Sequence, residues 1–239
     1  MEDAHNRLII ALDYPDLAPA LDVARLLLRQ VTMFKVGLEL FNVAGPAAVT
    51  SLRDLGAGVF YDSKFHDIPN TVAGAAAAAA RLGVSMFNVH TLGGRTMMAA
   101  AKEAALGAAE EAGFTRPLVI GVTVVTSLGD DELQHELGIP APAREAVLRL
   151  ALQAKEAGLD GVVASAHEVA DIKRLCGKDF LTVTPGIRPA GADRGDQARV
   201  ATPGEAVRAG ADYLVVGRPV TRADDPRAAT AAILREMAE

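Results

Sequence analysis

Residues 61–71 read YDSKFHDIPNT and place Asp62, Lys64 and Asp67 within six positions, directly after the apolar-leaning run GAGVF. Charged side chains at the end of an apolar segment carry a desolvation cost, which mutual pairing offsets. Several uses would account for the placement. The trio could be a structural ion network, or Lys64 or Lys35 could form a Schiff base with a carbonyl substrate. Asp62 and Lys64 stand two apart, so their side chains share one sheet face if the strand persists. Lys35, set between Phe34 and Val36 in the short apolar run MFKVG, is a second lysine that needs a partner or a job.

Anion chemistry is written elsewhere in the chain. GADYLVVGRPVT puts Gly217 and Arg218 directly after an apolar run, ahead of a helix beginning near Asp225. Glycine lets backbone N–H groups approach a phosphate, and arginine offers a two-pronged charged fork. The Gly- and Pro-rich segment TPGIRPAGADRGDQ, residues 184–197, carries Arg188, Arg194 and Gln197. It reads as a lid over the same phosphate, against the plainer reading of a surface loop.

The elements that must position these groups are short apolar runs alternating with longer amphipathic segments. Strands are expected at residues 8–13, 33–37, 58–62, 85–90, 118–125, 161–165, 180–185 and 213–217. Their length and β-branched content favour strands over helices, and the lack of strict alternation suits a parallel sheet buried on both faces. Between them, DLAPALDVARLLLRQ opens on Asp16 as N-cap, PNTVAGAAAAAARLG starts near Pro69 and stops at Gly83, and AREAVLRLALQAKEAG stops at Gly158. Eight strands alternating with eight helices predict an α/β fold, a (β/α)8 TIM barrel formed as one domain over residues 1–239. An open doubly wound sheet is the structural rival, weakened because no G-x-G-x-x-G follows the first strand.

A barrel gathers its chemistry at the C-terminal ends of its strands. Those ends carry Asp13, Lys35, Asp62 with Lys64, His90, Thr123 with Thr126 and Ser127, Ser165, Arg188, and Gly217 with Arg218. The N-terminal ends show no comparable set. Asp13 alone reads equally as a turn former. His90 and His66 read as packing or hydrogen-bonding groups, since no other His or Cys stands at ligand spacing to His90. The net charge of −6, the absence of Trp and an aromatic content of 4% argue against a nucleic-acid-binding surface. Cys176 is the one cysteine, so no intrachain disulfide forms, which suits a cytoplasmic location. The opening MEDAHNRLIIALD is acidic with an apolar run of five residues, which is neither a signal peptide nor a membrane span.

The segments LIIALD, FKVGLELF, DSKFHDIPNTV, NVHTLGG, VTVVTS, LDGVVAS, VTPGIRPAGADRGDQ and DYLVVGRPVT follow one another along nearly the whole chain. Together they resemble the orotidine 5′-monophosphate decarboxylase family of bacterial type, with D-x-K-x-x-D as the specific element. The resemblance implies decarboxylation of orotidine 5′-phosphate to uridine 5′-phosphate without cofactor or metal, in pyrimidine biosynthesis. It implies that Lys64 protonates C6, that Asp62 holds Lys64 charged and oriented, and that Lys35 supports Asp62 and, with Asp13, contacts the ribose. It further implies a homodimer with shared sites, in which Asp67, Ile68 and Thr71 complete the partner's site. Thr126 would read the pyrimidine edge, Gln197 would bridge base and phosphate, and Arg188, Gly217 and Arg218 would bind the phosphate. One departure stands out: the family's bacterial members usually carry leucine after the first aspartate, and here the residue is Ser63. Its side chain is expected to face away from Asp62 and Lys64, altering packing and not chemistry. The rivals are a magnesium-dependent sugar-phosphate decarboxylase or aldolase on the same barrel, a Schiff-base aldolase, and a catalytically silent nucleotide-binding protein.

Overall fold

The computed structural model describes residues 2–189 and 199–238. The chain opens with α1 (Glu2–Arg7), β1 (Leu8–Ala11), α2 (Leu17–Leu27) and β2 (Met33–Val36). It continues through α3 (Leu38–Ala44), α4 (Ala47–Asp54), β3 (Gly58–Phe65), α5 (Pro69–Arg81) and β4 (Met86–His90). A 3₁₀ turn at Thr91–Gly93 leads to α6 (Gly94–Ala112) and β5 (Leu118–Val122), and a π-helical turn at Glu132–Glu136 precedes α7 (Ala143–Glu156). Then come β6 (Gly161–Val163), α8 (Ala166–Cys176), β7 (Leu181–Thr184), α9 (Pro203–Arg208), β8 (Tyr213–Val216), α10 (Arg218–Thr221) and α11 (Pro226–Glu236).

The eight strands pair in sequence order, and β1 pairs in parallel with both β2 and β8, closing the barrel. The expected (β/α)8 architecture is therefore the observed one, and the open sheet is excluded. Alternation along each strand divides the core in two. Ile9, Ala11, Phe60, Met86, Ile120, Val183 and Val215 fill the barrel interior. The intervening residues, such as Leu8, Ile10, Phe34, Val59 and Phe87, point outward into a larger cluster shared with the helices. The alanine run lies in α5, where Ala76, Ala79 and Ala80 are buried, and α6 likewise buries Ala101, Ala105, Ala108 and Ala109. Small side chains on both helices allow close packing without lost rotamer freedom.

Local signals explain several boundaries. The Asp16 carboxylate accepts from the Ala18 N–H at 3.2 Å and caps α2. Gly83 and Gly158 follow α5 and α7 with φ of 75° and 82°. Three differences from the sequence reading matter. The strands other than β3 and β4 run shorter than expected at their C-terminal ends, so Asp13, Thr123, Ser165 and Gly217 stand in the loops beyond them. Strand β3 runs longer, carrying Ser63, Lys64 and Phe65. The N-terminal mouth also carries ion pairs, Lys102–Asp160 at 2.5 Å and Lys173–Asp212 at 2.6 Å. Each aspartate stands just before a strand and accepts a backbone N–H from a neighbouring strand, Val119 or Thr182, at 2.6 Å. These pairs tie the base of the barrel together. Among the described residues, no helix is long and apolar enough to cross a membrane.

Candidate active site

Strand β3 departs from regular pairing where its charges begin. Phe60 and Tyr61 pair with Met86 and Phe87, but the next pairing is Phe65 with Val89, so β3 carries two extra residues between ladder positions. Such a bulge turns the chain locally and leaves backbone groups without ladder partners. Lys64 sits in the bulge at φ 50°, the only non-glycine residue at positive φ among those described. This conformation costs an L-residue about 1–2 kcal/mol unless its surroundings hold it. They do: the Lys64 N–H donates to Asn88 Oδ1 at 2.6 Å.

The side chains around the bulge form one continuous network. Lys64 Nζ lies 2.6 Å from Asp62 Oδ1, and Lys35 Nζ lies 3.2 Å from Asp62 Oδ2 and 2.9 Å from Asp13 Oδ1. Asn88 Nδ2 donates to Asp62 Oδ1 at 2.7 Å. The signs alternate from Asp13 through Lys35 and Asp62 to Lys64, which offsets the desolvation of each charge. Burial pushes the Asp62 carboxyl upward, but the Lys35 and Lys64 charges, with hydrogen bonds from Lys64 and Asn88, outweigh it and hold the pKa below the usual carboxylate value. Burial likewise pulls the Lys35 ammonium down, and attraction to Asp62 and then Asp13 raises it above an ordinary lysine. Both groups are therefore charged at neutral pH.

Glycine at position 37 permits this approach. A Cβ there would lie 2.7 Å from Lys35 Nζ and 2.9 Å from Asp13 Oδ1. The network edges a cavity of ≈ 280 Å³ at the C-terminal mouth, with Phe60, Val163, Val183 and Val215 as apolar lining and Thr126 on its rim. A charged wall beside apolar lining suits a small ligand oriented by a few placed polar groups.

The remaining expected residues divide. Asp67, Ile68 and Thr71 are exposed, and Asp67 accepts from the Ile68 N–H at 2.6 Å without an ion pair to Lys64 within the chain. Gly217 and Arg218 stand at the start of α10, and Arg218 is exposed. Arg188 is buried, and its backbone N–H donates to the Ala201 carbonyl at 2.9 Å, which ties these two positions together. Gln197 and Arg194, with the lid assigned to them, lie outside the described residues. Ser165 proves to be the N-cap of α8, and Thr123 donates to the Val163 carbonyl at 2.8 Å, so both act within the framework. His90 lies beside His66, with ring centroids 5.5 Å apart. Among the described residues, no three His, Cys, Asp or Glu side chains are grouped to hold a metal.

The Ser63 hydroxyl donates to the Asn88 backbone carbonyl at 2.9 Å. Asn88 is the residue that sequence reasoning missed. Its signal was a polar side chain in step with interior-facing Met86, amid the apolar residues that precede His90 on the strand.

A model of the Orotidine 5′-phosphate decarboxylase / HUMPS family matches residues 6–233. A protein named orotidine 5′-phosphate decarboxylase from Moorella thermoacetica is 54% identical, covering 98% of this chain and 93% of its own. Another of that name, from Alkalilimnicola ehrlichii, is 56% identical over 98% of this chain and 97% of its own. The crystal structure of orotidine 5′-phosphate decarboxylase from Lactobacillus acidophilus superposes with a TM-score of 0.84 at 41% identity, over 98% of this chain and all of that one.

Proposed function

We infer, for a chain that belongs to the Orotidine 5′-phosphate decarboxylase / HUMPS family, that Lys64 is the proton donor in its reaction. The enzyme decarboxylates orotidine 5′-phosphate to uridine 5′-phosphate in pyrimidine biosynthesis. The observation that carries the residue assignment is the Asp13–Lys35–Asp62–Lys64 array at the cavity edge. Breaking the C6–carboxylate bond releases CO2 and leaves the electron pair on C6, in the ring plane, where the π system delocalises it poorly. Fixed charge aimed at that carbon lowers the barrier, because it is oriented before the reaction and acts in a site of low dielectric. The Lys64 ammonium stabilises the developing carbanion and then donates a proton to C6. Asp62 orients Lys64 and stands where the departing carboxylate is repelled. Lys35 and Asp13 take the ribose hydroxyls, Thr126 the pyrimidine edge, and Gln197 spans base and phosphate. Arg188, Gly217 and Arg218 hold the phosphate. The chain works as one barrel domain over residues 1–239, in the cytoplasm, with a nucleotide and not a nucleic acid or membrane as its ligand.

The same reading makes the enzyme a homodimer in which Asp67, Ile68 and Thr71 serve the partner's site. The exposed carboxylate of Asp67 and the 66% exposure of Ile68 support it, as does the exposed Leu92 after the adjacent strand. The test of the reaction is loss of orotidine 5′-phosphate absorbance with formation of uridine 5′-phosphate, undiminished by a strong chelator. The test of the shared site mixes two inactive proteins, K64A and D67A, under conditions where tagged chains show subunit exchange. Random exchange of equal amounts gives about half heterodimers, each with one intact site, so roughly a quarter of wild-type activity returns. Exchange without recovery would confine Asp67 to its own chain.

A further inference from the structure

We propose that Asn88 is a positioning residue for the decarboxylation, one side-chain amide that sets the geometry of both Asp62 and Lys64. The residue is 1% exposed, on the inner face of β4 beside Ile120 of β5. Its two ends have fixed identities. The Lys64 N–H can only donate, so the oxygen of the amide must face it; the Asp62 carboxylate accepts, so the nitrogen must face that side. The amide thus bridges the two residues across the bulge. It supplies the acceptor that the bulged Lys64 N–H lost when β3 left the ladder. It also donates to the carboxylate oxygen that receives Lys64 Nζ, the two contacts being 2.7 Å and 2.6 Å. Ser63 bonds only the Asn88 backbone carbonyl and leaves the amide to its two partners. Lys64 at φ 50° has no glycine-like freedom to justify its backbone, so the amide is what holds the ammonium toward the cavity and not back along the strand.

The inference rests on the assignment of Lys64 as proton donor, and the experiment separates the two. Two substitutions are used. N88L keeps the approximate volume and removes both hydrogen bonds. N88D keeps the shape and the acceptor for the Lys64 N–H, but turns a second carboxylate oxygen toward Asp62. Two facing carboxylates share a proton, so one of them titrates at a higher pH. The charged and titratable groups around Asp62 are Lys35 on β2, Lys64 on β3 and Asp13 beyond Lys35, with His90 on β4 and His66 nearby. These are unchanged in both variants.

The expected result for N88L is a fall in kcat of about tenfold to a hundredfold, as for a misaligned reacting group. KM and the affinity for uridine 5′-phosphate should stay within about threefold, because phosphate and ribose contacts are untouched. N88D should move the acid limb of the kcat/KM profile upward by about one pH unit or more. S63A, which loses only a bond to the Asn88 backbone, should stay within about twofold of wild type. Unchanged kcat in N88L, or an N88D defect with no shift of the acid limb, overturns the proposal. So does an S63A loss as large as that of N88L, because strand distortion would then be the cause. If N88L does not fold, the N88D profile decides. Activity that survives K64A would instead sink the assignment of Lys64.

Discussion

Replacing Asp62 with asparagine keeps its shape and removes one negative charge from between two lysines. In the wild type, Asp62 accepts from three directions: Lys35 at 3.2 Å, Lys64 at 2.6 Å and Asn88 at 2.7 Å. An amide cannot do this, since its nitrogen must face an ammonium or the Asn88 nitrogen. Water repairs only part of the loss, because the Asp62 side chain is 14% exposed. Removing one partner of a buried pair costs about 3–5 kcal/mol. Two features place D62N at the lower end, about 3 kcal/mol. Lys35 keeps Asp13 at 2.9 Å, and the Lys64 side chain, 32% exposed, can turn toward water. For a chain of this size that corresponds to a Tm lower by roughly 6–12 °C.

The pH dependence carries a sign. The folded pKa of Asp62 lies below the ordinary value, through Lys35 and Lys64 overcoming burial. Its contribution is therefore full above the unfolded carboxylate pKa, about 4, and is lost as the pH falls through the folded pKa. The folded pKa of Lys35 is raised, so its share is full below the unfolded lysine pKa, about 10.4, and is lost above the folded one. The gap between wild type and D62N should be level from about pH 5 to pH 9 and should narrow outside that window. Urea midpoints across that range, with calorimetric Tm, make the measurement. D62N as stable as wild type at neutral pH, or a gap that widens in acid, would refute the reasoning.

K64A should lose turnover by on the order of 10⁴-fold or more, while its affinity for uridine 5′-phosphate, measured calorimetrically, changes less than about tenfold. Near-normal turnover would remove Lys64 as the acid. R218A should weaken uridine 5′-phosphate binding by about 1.5–3 kcal/mol and leave uridine binding unchanged, since only the charged fork is lost; equal effects on both ligands would misplace the phosphate. Tyr61 has its hydroxyl pushed up to about 12 by burial. The raised pKa means its stabilising share is full below about pH 10 and is lost as the pH rises toward 12. Y61F should therefore resist alkaline denaturation better than wild type, by up to about 2–3 kcal/mol relative to the gap at neutral pH; parallel unfolding curves would show that Tyr61 is not held neutral.

The fold was legible where burial and pairing coincide. Strand positions, the Asp16 cap, the alanine helix and the Gly83 and Gly158 stops are all local signals, and barrel closure follows from their repetition. Strand ends were less so because composition reports burial, and burial outlasts pairing. Leu12 is fully buried and Val124 is 5% exposed, yet both lie beyond their strands. The opposite error befell β3, whose charges interrupt the apolar signal although the ladder resumes at Phe65. Lysine and aspartate at the base of the barrel were overlooked because Lys102 and Asp160 come from different elements.

The site shows the same division between what a residue is and what it meets. Asp62 and Lys64 advertise themselves, being charges beside an apolar run. That Lys35 joins Asp13 to Asp62 depends on β1, β2 and β3 standing side by side, which becomes readable once the barrel is accepted. Periodicity places Asn88 inside the barrel but does not encode what it bonds. A regular β3 would bond its own ladder, and an asparagine on β4 would have no backbone N–H to receive. The two extra residues in β3 create the unpaired N–H, put Lys64 at positive φ, and bring Asp62 within reach of the amide. The bulge and the asparagine are therefore one feature written in two places. Restoring regular pairing would remove the need for the amide, and removing the amide would remove the support for the bulge.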